Sequence, residues 1–592
     1  MAEDGDMSPA RVAAPVPSKV DLSTAQEAAA ATDAEHNMGS VKSFRLYWKA
    51  CLWSIFISTC IIMDGFDTAL LRSLFAYPAF QRQFGVQQAN GTYQLTAAWQ
   101  SGLTNGVLCG SIIGLFLNGI LADRFGYRKT LIGALVGITG FIFIIFFSKT
   151  LPQLLVGEIL AGIPWGIFQT LTTTYASEVC PTHLRAYLTT YNNLCWVIGQ
   201  FIASGVLRAM VSRTDDWGYK IPFALQWMWP VPLAIGIYLA PESPWWLVRR
   251  GKVDEARRSL ARLTSRSTAG TEFNIDETIS MMIHTNEMER ELTAGTTYWD
   301  LFKGVNARRT EIVCMVWMGQ TLSGSNFMGY STYFYQQAGL AVGSSFSMSL
   351  GQYGIGIVGT ILSWFLMTWF GRRTLFFTGQ VCACFILFTI GCASFAGSAN
   401  AGAQWGIGSL LLVYTFVYDS SVGTSLCLPP LLIPPPPPLL PFYSFFSSCI
   451  QSGQNSDTHR PGPICYSLVA ELTSTRLRAK SVVLARNMYN IASIIANILT
   501  PRMLNPTAWG WGAKTGFFWA GTALCCATWT FFRLPEPKGR TYGELDTLFE
   551  QGVSARKFAT TAVGRIDVGF ESVSITKDGG STAEIERIAT KT

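Results

Sequence analysis

The stretch IIMDGFDTALL, residues 61–71, is the most informative about the fold, because it closes an apolar run that begins near Leu52. The run is about as long as a membrane-spanning helix, yet it contains Asp64 and Asp67. Each carboxylate would cost roughly 2.5–3.5 kcal/mol at the bilayer centre unless it faced protein or water. Since they are three residues apart, a helix places both on one face. We therefore predict a functional site inside a membrane helix; a partly unwound helix end at the interface is the alternative.

The composition is that of a polytopic membrane protein. Charged residues make up 14% of the 592 residues, against about 25% in soluble proteins, and the mean hydropathy is +0.28. The net charge of +7 does not indicate nucleic-acid binding, because the basic residues lie beside apolar spans. That distribution follows the positive-inside rule and predicts that both chain termini are cytoplasmic.

Apolar stretches of membrane-spanning length divide the chain into two sets of six. They predict a disordered cytoplasmic N-terminal tail at 1–45, a first half at 46–240, a cytoplasmic linker with short helices at 241–310, a second half at 311–534 and a cytoplasmic tail at 535–592. The predicted spans are 49–71, 95–118, 130–148, 151–175, 188–209, 220–240, 311–336, 347–369, 374–396, 405–422 (continuing later), 481–500 and 513–533.

Short motifs recur between the two sets of spans. Residues 178–186 share their Glu and a Leu-Arg-Ala triplet with residues 471–479, and Pro241-Glu242 recurs as Pro535-Glu536. Residues 126–131 are likewise similar to residues 371–375. Two related six-span halves are typical of transporters of the major facilitator type, with the binding site between the halves. We predict an all-α membrane protein with twelve transmembrane helices in two six-helix pseudo-symmetric halves, the major facilitator fold.

The repeat spacing reveals extra residues in the second half. Gly371 follows Gly126 by 245 residues, whereas Arg478 follows Arg185 by 293. The extra residues lie at 423–461, where they interrupt span ten. They include the run Pro434–Pro438, which cannot continue a helix. Because Pro, Leu, Ser and Phe codons are pyrimidine-rich, as intron ends are, we interpret 423–461 as a retained, translated intron; a genuine Pro-rich loop is the alternative.

A ladder of glycines marks span two. Gly102, Gly106, Gly110 and Gly114 recur every four residues. Small residues at this spacing let helix backbones approach closely, so we predict that all four pack against a neighbouring helix.

Several motifs resemble those of the sugar porter family. The stretches at 119–128, 241–247, 370–373 and 535–539 are similar to its signature set. The stretches at 64–71, 99–100, 164–166 and 484–487 resemble its fungal α-glucoside (maltose) permease branch. The resemblance covers about 45–550 apart from 423–461. It implies a plasma-membrane, multi-pass proton-coupled symporter that imports α-glucosides such as maltose by alternating access.

The resemblance also implies a conformational latch of charged pairs at the cytoplasmic helix ends. Asp123 with Arg124 and Arg128, and Glu178 with Arg185, are expected to pair differently as the halves rock. Topology-setting charge is the alternative role for the basic residues. In the second half the corresponding residues are Arg372, Arg373, Glu471 and Arg478.

Sugar recognition needs hydroxyl-matching donors and acceptors together with aromatic faces. Gln320 and Asn326 match sugar-contacting positions of the family, whereas Thr321 replaces a family Gln and argues against ordinary monosaccharide recognition. An interhelical hydrogen bond is the alternative role for each of these polar residues. The full set of expected substrate-binding residues is Asn193, Gln200, Gln320, Ser323, Asn326, Tyr330, Tyr466 and Asn490.

For coupling, Asp67 matches the proton-linked Asp of span one, and Glu158 replaces the family's partner Arg in span four. Arg486 is the only Arg well inside an apolar span, so it is the expected counter-charge. Burial favours a neutral carboxyl and a nearby Arg favours a charged one. We expect Asp67, with Asp64 or Glu158, to exchange a proton as the distance to Arg486 changes.

Other classes of function find little support in the sequence. It contains no metal motif, nucleophile elbow or P-loop, so we expect no enzyme activity and no cofactor other than the coupling proton. The expected partners are a sugar and the lipid bilayer. The 14 Cys are mostly scattered in apolar spans and are expected to act as small hydrophobic residues. A hexose transporter, a non-transporting sugar sensor and a non-productive product with a broken span ten remain alternatives.

Overall fold

A computed structural model gives the architecture of the chain. The residues it describes are 40–89, 91–265, 273–293, 296–396, 401–423, 468, 472–473, 477–537, 542–558, 561, 568–576 and 582–590. Residues 1–39 of the tail predicted at 1–45, most of the predicted insertion, Tyr466 and Glu471 lie outside these residues, as does the side chain of Arg478. The last six residues of that predicted tail, 40–45, are helical.

The first half is a bundle of long helices with short connections. Its helices and strands are α1 (Ser40–Ser58), α2 (Cys60–Leu74), α3 (Pro78–Phe84), β1 (Val86–Gln87), β2 (Tyr93–Gln94), α4 (Ala97–Phe125), α5 (Tyr127–Phe146), α6 (Leu151–Val179), α7 (Thr182–Met210), α8 (Trp217–Leu225) and α9 (Pro230–Leu239). The two short strands form an antiparallel pair in which Val86 opposes Gln94.

Three short helices precede a second bundle. The linker contains α10 (Pro244–Arg249), α11 (Val253–Leu263) and α12 (Ile275–Thr293). The second half comprises α13 (Gly304–Gln320), α14 (Asn326–Gly329), α15 (Ser331–Gln337), α16 (Val342–Trp369), α17 (Arg372–Ala393), α18 (Ala401–Tyr418), α19 (Arg478–Leu504) and α20 (Thr515–Arg533).

Every predicted span falls on helix within the described residues, and the spans at 49–71, 220–240 and 311–336 each cover more than one helix. Within the described residues, eight helical segments are long and apolar enough to cross a membrane, the first being Ser43–Leu74. The α4 helix packs against α6 and α17 against α20, within the two halves respectively. The halves meet where α7 contacts α16 and where α4 contacts α19. The architecture is therefore the predicted all-α bundle of two six-helix halves.

The glycine ladder of α4 is a close-packing surface at three of its four positions. A Cβ added at Gly110 would lie 2.0 Å from the Ile159 carbonyl oxygen of α6, and one at Gly114 would lie 2.1 Å from the Ile163 oxygen. Gly106 faces Leu155 of the same helix. A Cβ at Gly102 would meet no atom within 4 Å. The prediction was therefore wrong for Gly102, which is not in close contact with a neighbouring helix.

The seventh predicted span is interrupted, which the sequence analysis did not anticipate. A π-helical turn, Thr321–Ser325, separates α13 from α14, and Gly324 adopts a φ of +102° there. A second interruption at Tyr330 (φ −94°, ψ 20°) separates α14 from α15. Gly324 tolerates the left-handed conformation because it lacks a Cβ.

The segment after the last span folds back onto the bundle. Helix α21 (Tyr542–Glu550) buries Leu545, Leu548 and Phe549, and Asp546 forms an ion pair of 2.5 Å with the buried Arg309 of α13. Further along, β3 (Val568–Thr576) and β4 (Thr582–Thr590) pair antiparallel. Part of the predicted tail is therefore ordered structure that covers the first turns of α13.

Candidate functional site

A chain of three polar side chains joins the two halves near the middle of the bundle. Asp64 of α2 is 3% exposed, and its Oδ2 accepts a hydrogen bond of 2.8 Å from Nε2 of Gln169 on α6. The Oε1 atom of the same Gln169 accepts a bond of 2.9 Å from Nη2 of Arg486 on α19. The amide thus connects a carboxylate of the first half to a guanidinium of the second.

Aromatic rings of the second half hold the Arg486 guanidinium. Its central carbon lies 4.9 Å from the ring centroid of Trp317 on α13 and 4.7 Å from that of Tyr489 on α19. Cation–π contacts of this kind strengthen when they are desolvated. The guanidinium is therefore anchored in the second half, and among the described residues its hydrogen bond to the first half is the one to Gln169.

Asp67 lies deeper in the first half than Asp64 does. Its side chain is fully buried; Oδ1 accepts a bond of 2.8 Å from Nε2 of Gln226, and Oδ2 accepts one of 3.1 Å from Nε1 of Trp165. Gln226 lies in the single turn between α8 and α9, and Trp165 on α6. Both donors come from the first half, so this carboxyl group is held independently of the second half.

Glu158 lies on α6 near Asp67, and it is fully buried. Neither of its carboxyl oxygens has a hydrogen-bond partner among the described residues. A buried carboxylate without a partner is costly in its charged form. The structure thus brings Asp67 and Glu158 into one enclosed cluster, and it ties Asp64 and Arg486 together separately through Gln169.

The residues predicted to bind substrate lie on several helices that face the interior. Gln200 on α7 and Gln320, Asn326 and Asn490 in the second half are all buried, and Asn193 on α7 is half-buried. Nδ2 of Asn326 donates 3.4 Å to the Ser493 carbonyl, and Nδ2 of Asn490 has no partner among the described residues. The Ser323 hydroxyl donates to the Gly319 carbonyl of its own span, 2.6 Å away.

Tyr330 is part of a seal between the halves. Its hydroxyl is 3.0 Å from Oγ1 of Thr104, and its ring stacks on Phe75 with centroids 6.2 Å apart. Beside it, Oγ of Ser73 lies 3.2 Å from Oγ1 of Thr332. Nε2 of Gln336 donates to the Ala76 carbonyl over 2.7 Å. We call this the sealed end of the bundle; these contacts close the space between the halves there.

The other end of the bundle, where α4 meets α5 at Arg124–Lys129, is called the basic end and has its own network. The Glu178 carboxylate accepts 2.7 Å from Nη2 of Arg249 and 2.8 Å from the Tyr127 hydroxyl, and it also contacts the Ser243 hydroxyl. The ion pair of Glu178 with Arg249 brings in a residue of α10 that the predicted latch did not include.

The repeated Pro-Glu motif has a structural explanation. Glu242 accepts from the backbone N–H groups of Tyr127 and Arg128 (3.0 and 3.3 Å), which begin α5. Glu536 does the same for Arg372 and Arg373 (3.0 and 3.1 Å), which begin α17. Carboxylates at helix N-termini satisfy unpaired N–H groups. Burial raises the pKa of Glu242, and these backbone bonds act in the opposite direction.

The remaining members of the predicted latch lie at the same end. The Asp123 side chain is exposed, and its backbone carbonyl accepts 3.0 Å from Nε of Arg250. Arg124 lies over the Phe125 ring, Nε of Arg128 donates to the Ile237 carbonyl, and Nη2 of Arg373 donates to the Phe531 carbonyl. Arg185 is half-buried. Most of these arginines therefore bind backbone carbonyls or rings at helix ends.

Gln169, Gln226 and Trp165 are the contacts of the acids that sequence reasoning missed. Neutral amides in membrane spans usually form interhelical hydrogen bonds, so their type alone did not single them out. A spacing signal existed for Gln169, which follows Trp165 by four residues and therefore shares its helix face. Within the described part of the chain, no cluster of three or more His, Cys, Asp or Glu side chains forms a metal site.

Comparison with protein families gives a match over most of the chain. The family model described as "Sugar (and other) transporter" matches residues 53–430 and 459–549. The unmatched stretch between them lies inside the predicted insertion at 423–461.

Curated relatives from yeast match at similar coverage. The General alpha-glucoside permease of Saccharomyces cerevisiae (strain ATCC 204508 / S288c) is 42% identical over 546 residues, which cover 92% of this chain and 82% of that protein. The Maltose permease MAL61 of Saccharomyces cerevisiae is 41% identical over 545 residues, covering 91% and 82%.

Solved structures show the same fold at low sequence identity. The xylose transporter XylE from E. coli, in a partially occluded inward open conformation, superposes with a TM-score of 0.61 at 18% identity, covering 84% of this chain and 99% of that one. The same transporter, titled an MFS (major facilitator superfamily) proton:xylose symporter and bound to 6-bromo-6-deoxy-D-glucose, gives 0.61 at 20% identity, covering 85% and 99%. The chain is thus a membrane-integral protein of the major facilitator fold, and it belongs to the sugar (and other) transporter family.

Proposed function

We propose that this chain is an α-glucoside:proton symporter of the plasma membrane, with maltose-type sugars as substrates and both termini in the cytoplasm. The substrate class is supported by yeast relatives named as alpha-glucoside and maltose permeases. The orientation is supported by the basic residues beside the helix ends, since such residues favour the cytoplasmic side. The chain carries its substrate unchanged, so it is a transporter and not an enzyme.

The coupling proposal rests on two hydrogen bonds, which connect Asp64 of the first half through Gln169 to Arg486 of the second half. A guanidinium near a carboxylate favours its charged form, and its withdrawal favours protonation. Because Arg486 is anchored to rings of the second half, rocking of the halves changes its distance from Asp64. Alternating access would then change the proton affinity of the acids by the same motion that moves the sugar.

Asp67 and Glu158 serve in this proposal as the proton-holding cluster. Two buried carboxyl groups close together do not both ionise readily, so the pair retains one proton in the state with the sealed end closed. Gln226 and Trp165 hold Asp67 by donated hydrogen bonds. Opening of the sealed end would admit external water to the acids, and the proton would load from that side.

Sugar binding is assigned to the interior polar residues between the halves. Gln320, Asn326 and Asn490 supply amide donors and acceptors from the second half, and Asn193 and Gln200 supply them from the first. In the sealed state several of these amides hydrogen-bond to neighbouring backbone or to no described partner. Such groups are available to exchange partners for sugar hydroxyls.

Uptake of radiolabelled maltose by yeast that lacks its own maltose permeases tests the proposal. We expect accumulation above the external concentration, and a protonophore should reduce it to equilibration. Labelled glucose should enter no faster than in cells with an empty vector. Uptake of glucose but not of maltose would favour the hexose-transporter alternative. Binding without uptake would favour a sensor.

A further inference from the structure

Two partly exposed residues share one face of α2. From Met63 to Tyr77 every residue is buried except Thr68 and Arg72, which are partly exposed and lie four residues apart. Because Arg72 lies beside Tyr330 of the second half, this face is directed towards the interface between the halves. Asp64, Thr68 and Arg72 follow each other at intervals of four and form one stripe along the helix.

Arg72 lies at the outer end of this stripe, against the interrupted seventh span. Its guanidinium carbon is 5.6 Å from the centroid of the Tyr330 ring. Nη1 occupies the space beside Gly329, where an added Cβ would come within 2.3 Å of it. Gly329 therefore makes room for the guanidinium, and Tyr330 provides an aromatic face beside it.

The donors of Arg72 are not used within the described part of the chain. Its Nε atom is buried there without a hydrogen-bond partner, and the ion pairs among those residues involve other cations. A buried donor without a partner costs free energy, and a cation inside a membrane bundle marks a functional site by default. The fork of guanidinium N–H groups is suited to two neighbouring acceptors at once.

The position of Arg72 relative to Asp64 indicates the size of ligand that it would meet. Eight residues of helix correspond to about 12 Å, a length that accommodates two linked sugar rings better than one. A donor fork beside an aromatic face is the combination that suits vicinal hydroxyls and the C–H surface of a pyranose.

We propose that Arg72 determines specificity by binding the second ring of a disaccharide. The Tyr330 ring, which is buried against Phe75 while the sealed end is closed, packs against the same sugar ring once that end opens. This inference rests on the proposed α-glucoside transport. In this proposal, Arg72 discriminates between two-ring and one-ring α-glucosides. The residues nearer the centre of the bundle bind the first ring.

A purely mechanical role makes a different prediction. If Arg72 only braced the sealed end through Tyr330, its loss would change the maximal rate for every substrate alike. If it binds the second ring, its loss raises KM for a disaccharide and leaves KM for a single-ring glucoside nearly unchanged. The ratio of the two KM values therefore separates the roles, and a misfolded variant would lose both activities together.

The experiment compares Arg72→Gln and Arg72→Lys with the control Arg213→Gln, which removes an exposed guanidinium paired with Asp215. All are made in the full chain and, in parallel, in the chain without 423–461. Initial rates are measured with labelled maltose and methyl α-glucoside at one fixed external pH. Loss of a charge-assisted hydrogen bond predicts that Arg72→Gln raises KM for maltose about 10- to 100-fold.

Three further results are expected if Arg72 binds the second ring. KM for methyl α-glucoside should change less than threefold, Arg72→Lys should be intermediate, and Arg213→Gln should resemble the unchanged chain. Equal changes for both sugars, or no change for either, would overturn the assignment of Arg72. If the unchanged chain transports neither sugar while present at the cell surface, the proposed function fails before Arg72 is in question.

Discussion

At the residue scale, the two acids of α2, Asp64 and Asp67, are held in different ways. Asp67 is fixed by Gln226 and Trp165, both of the first half, whereas Asp64 is connected through Gln169 to Arg486 of the second half. The two carboxyl groups therefore differ in whether a hydrogen-bonded connection to the second half reaches them. In the proposed mechanism, Asp64 responds to the movement of the halves, and Asp67 with Glu158 holds the proton.

Replacement of Asp67 by Asn tests this division. The amide keeps the shape of the side chain but cannot exchange a proton, so we expect maltose accumulation against a gradient to be lost. Exchange of labelled for unlabelled maltose should persist, since it needs no net proton movement. Accumulation ratios from filter uptake give the result, with Asp215→Asn at an exposed position as the control. An unchanged accumulation ratio would refute the role of Asp67.

The acids and Arg486 could be selected from sequence because charge inside an apolar span is expensive and therefore rare. Their immediate partners could not, because Gln169 and Gln226 are neutral and distant in the chain from the groups they contact. Position 226 is 159 residues from Asp67, and only the folded bundle brings them together. Family resemblance predicted positions, but the hydrogen-bond partners depend on the local geometry of the helices.

At the scale of single elements, the contact of α4 with α6 depends on glycine. Gly110 and Gly162 approach so closely that an added Cβ at either would lie within 3 Å of the other helix's backbone. The four-residue spacing predicted this contact but not where it stops, since positions four residues apart drift around a helix that has 3.6 residues per turn. Gly102 continues the pattern in sequence without continuing the contact.

Substitution of two of these glycines by alanine tests whether stability depends on the close contact with α6 or only on the four-residue spacing. Gly110→Ala should destabilise the protein by about 1–3 kcal/mol, because backbone atoms of α6 must move. Gly102→Ala should have almost no effect, because its added methyl group meets nothing within 4 Å. Thermal unfolding of the purified protein in detergent measures both. Equal melting temperatures for the two variants would contradict the packing described.

At the scale of the whole molecule, the sealed end joins the halves through hydroxyl groups on α2 and α15. Ser73 and Thr332 lie with their oxygens 3.2 Å apart, so cysteines at both positions should form a disulfide. We expect oxidised Ser73→Cys/Thr332→Cys protein to lose maltose uptake and to regain it in dithiothreitol, because the bond prevents opening. Each single substitution serves as a control. Full uptake by the cross-linked protein would show that this end need not open.

The predicted insertion, residues 423–461, interrupts the tenth span of the chain. Helix α18 continues through a π-helical turn to Gly423, and the family model finds no match for residues 431–458. We expect cDNA to contain transcripts that lack codons 423–461, which would join Val422 to Gly462 in frame. Reverse transcription and sequencing across the junction provide the measurement. Transcripts that always retain these codons would contradict the intron interpretation.

The most direct test of symport is the pH of a weakly buffered suspension of cells that express the chain without 423–461. Addition of maltose should raise the external pH, because each sugar that enters brings a proton with it, and addition of glucose should not. Cells with Asp67→Asn provide the matched control and should give no pH rise with maltose. No pH rise with either sugar, in cells where the unchanged protein is present at the surface, would contradict α-glucoside:proton symport.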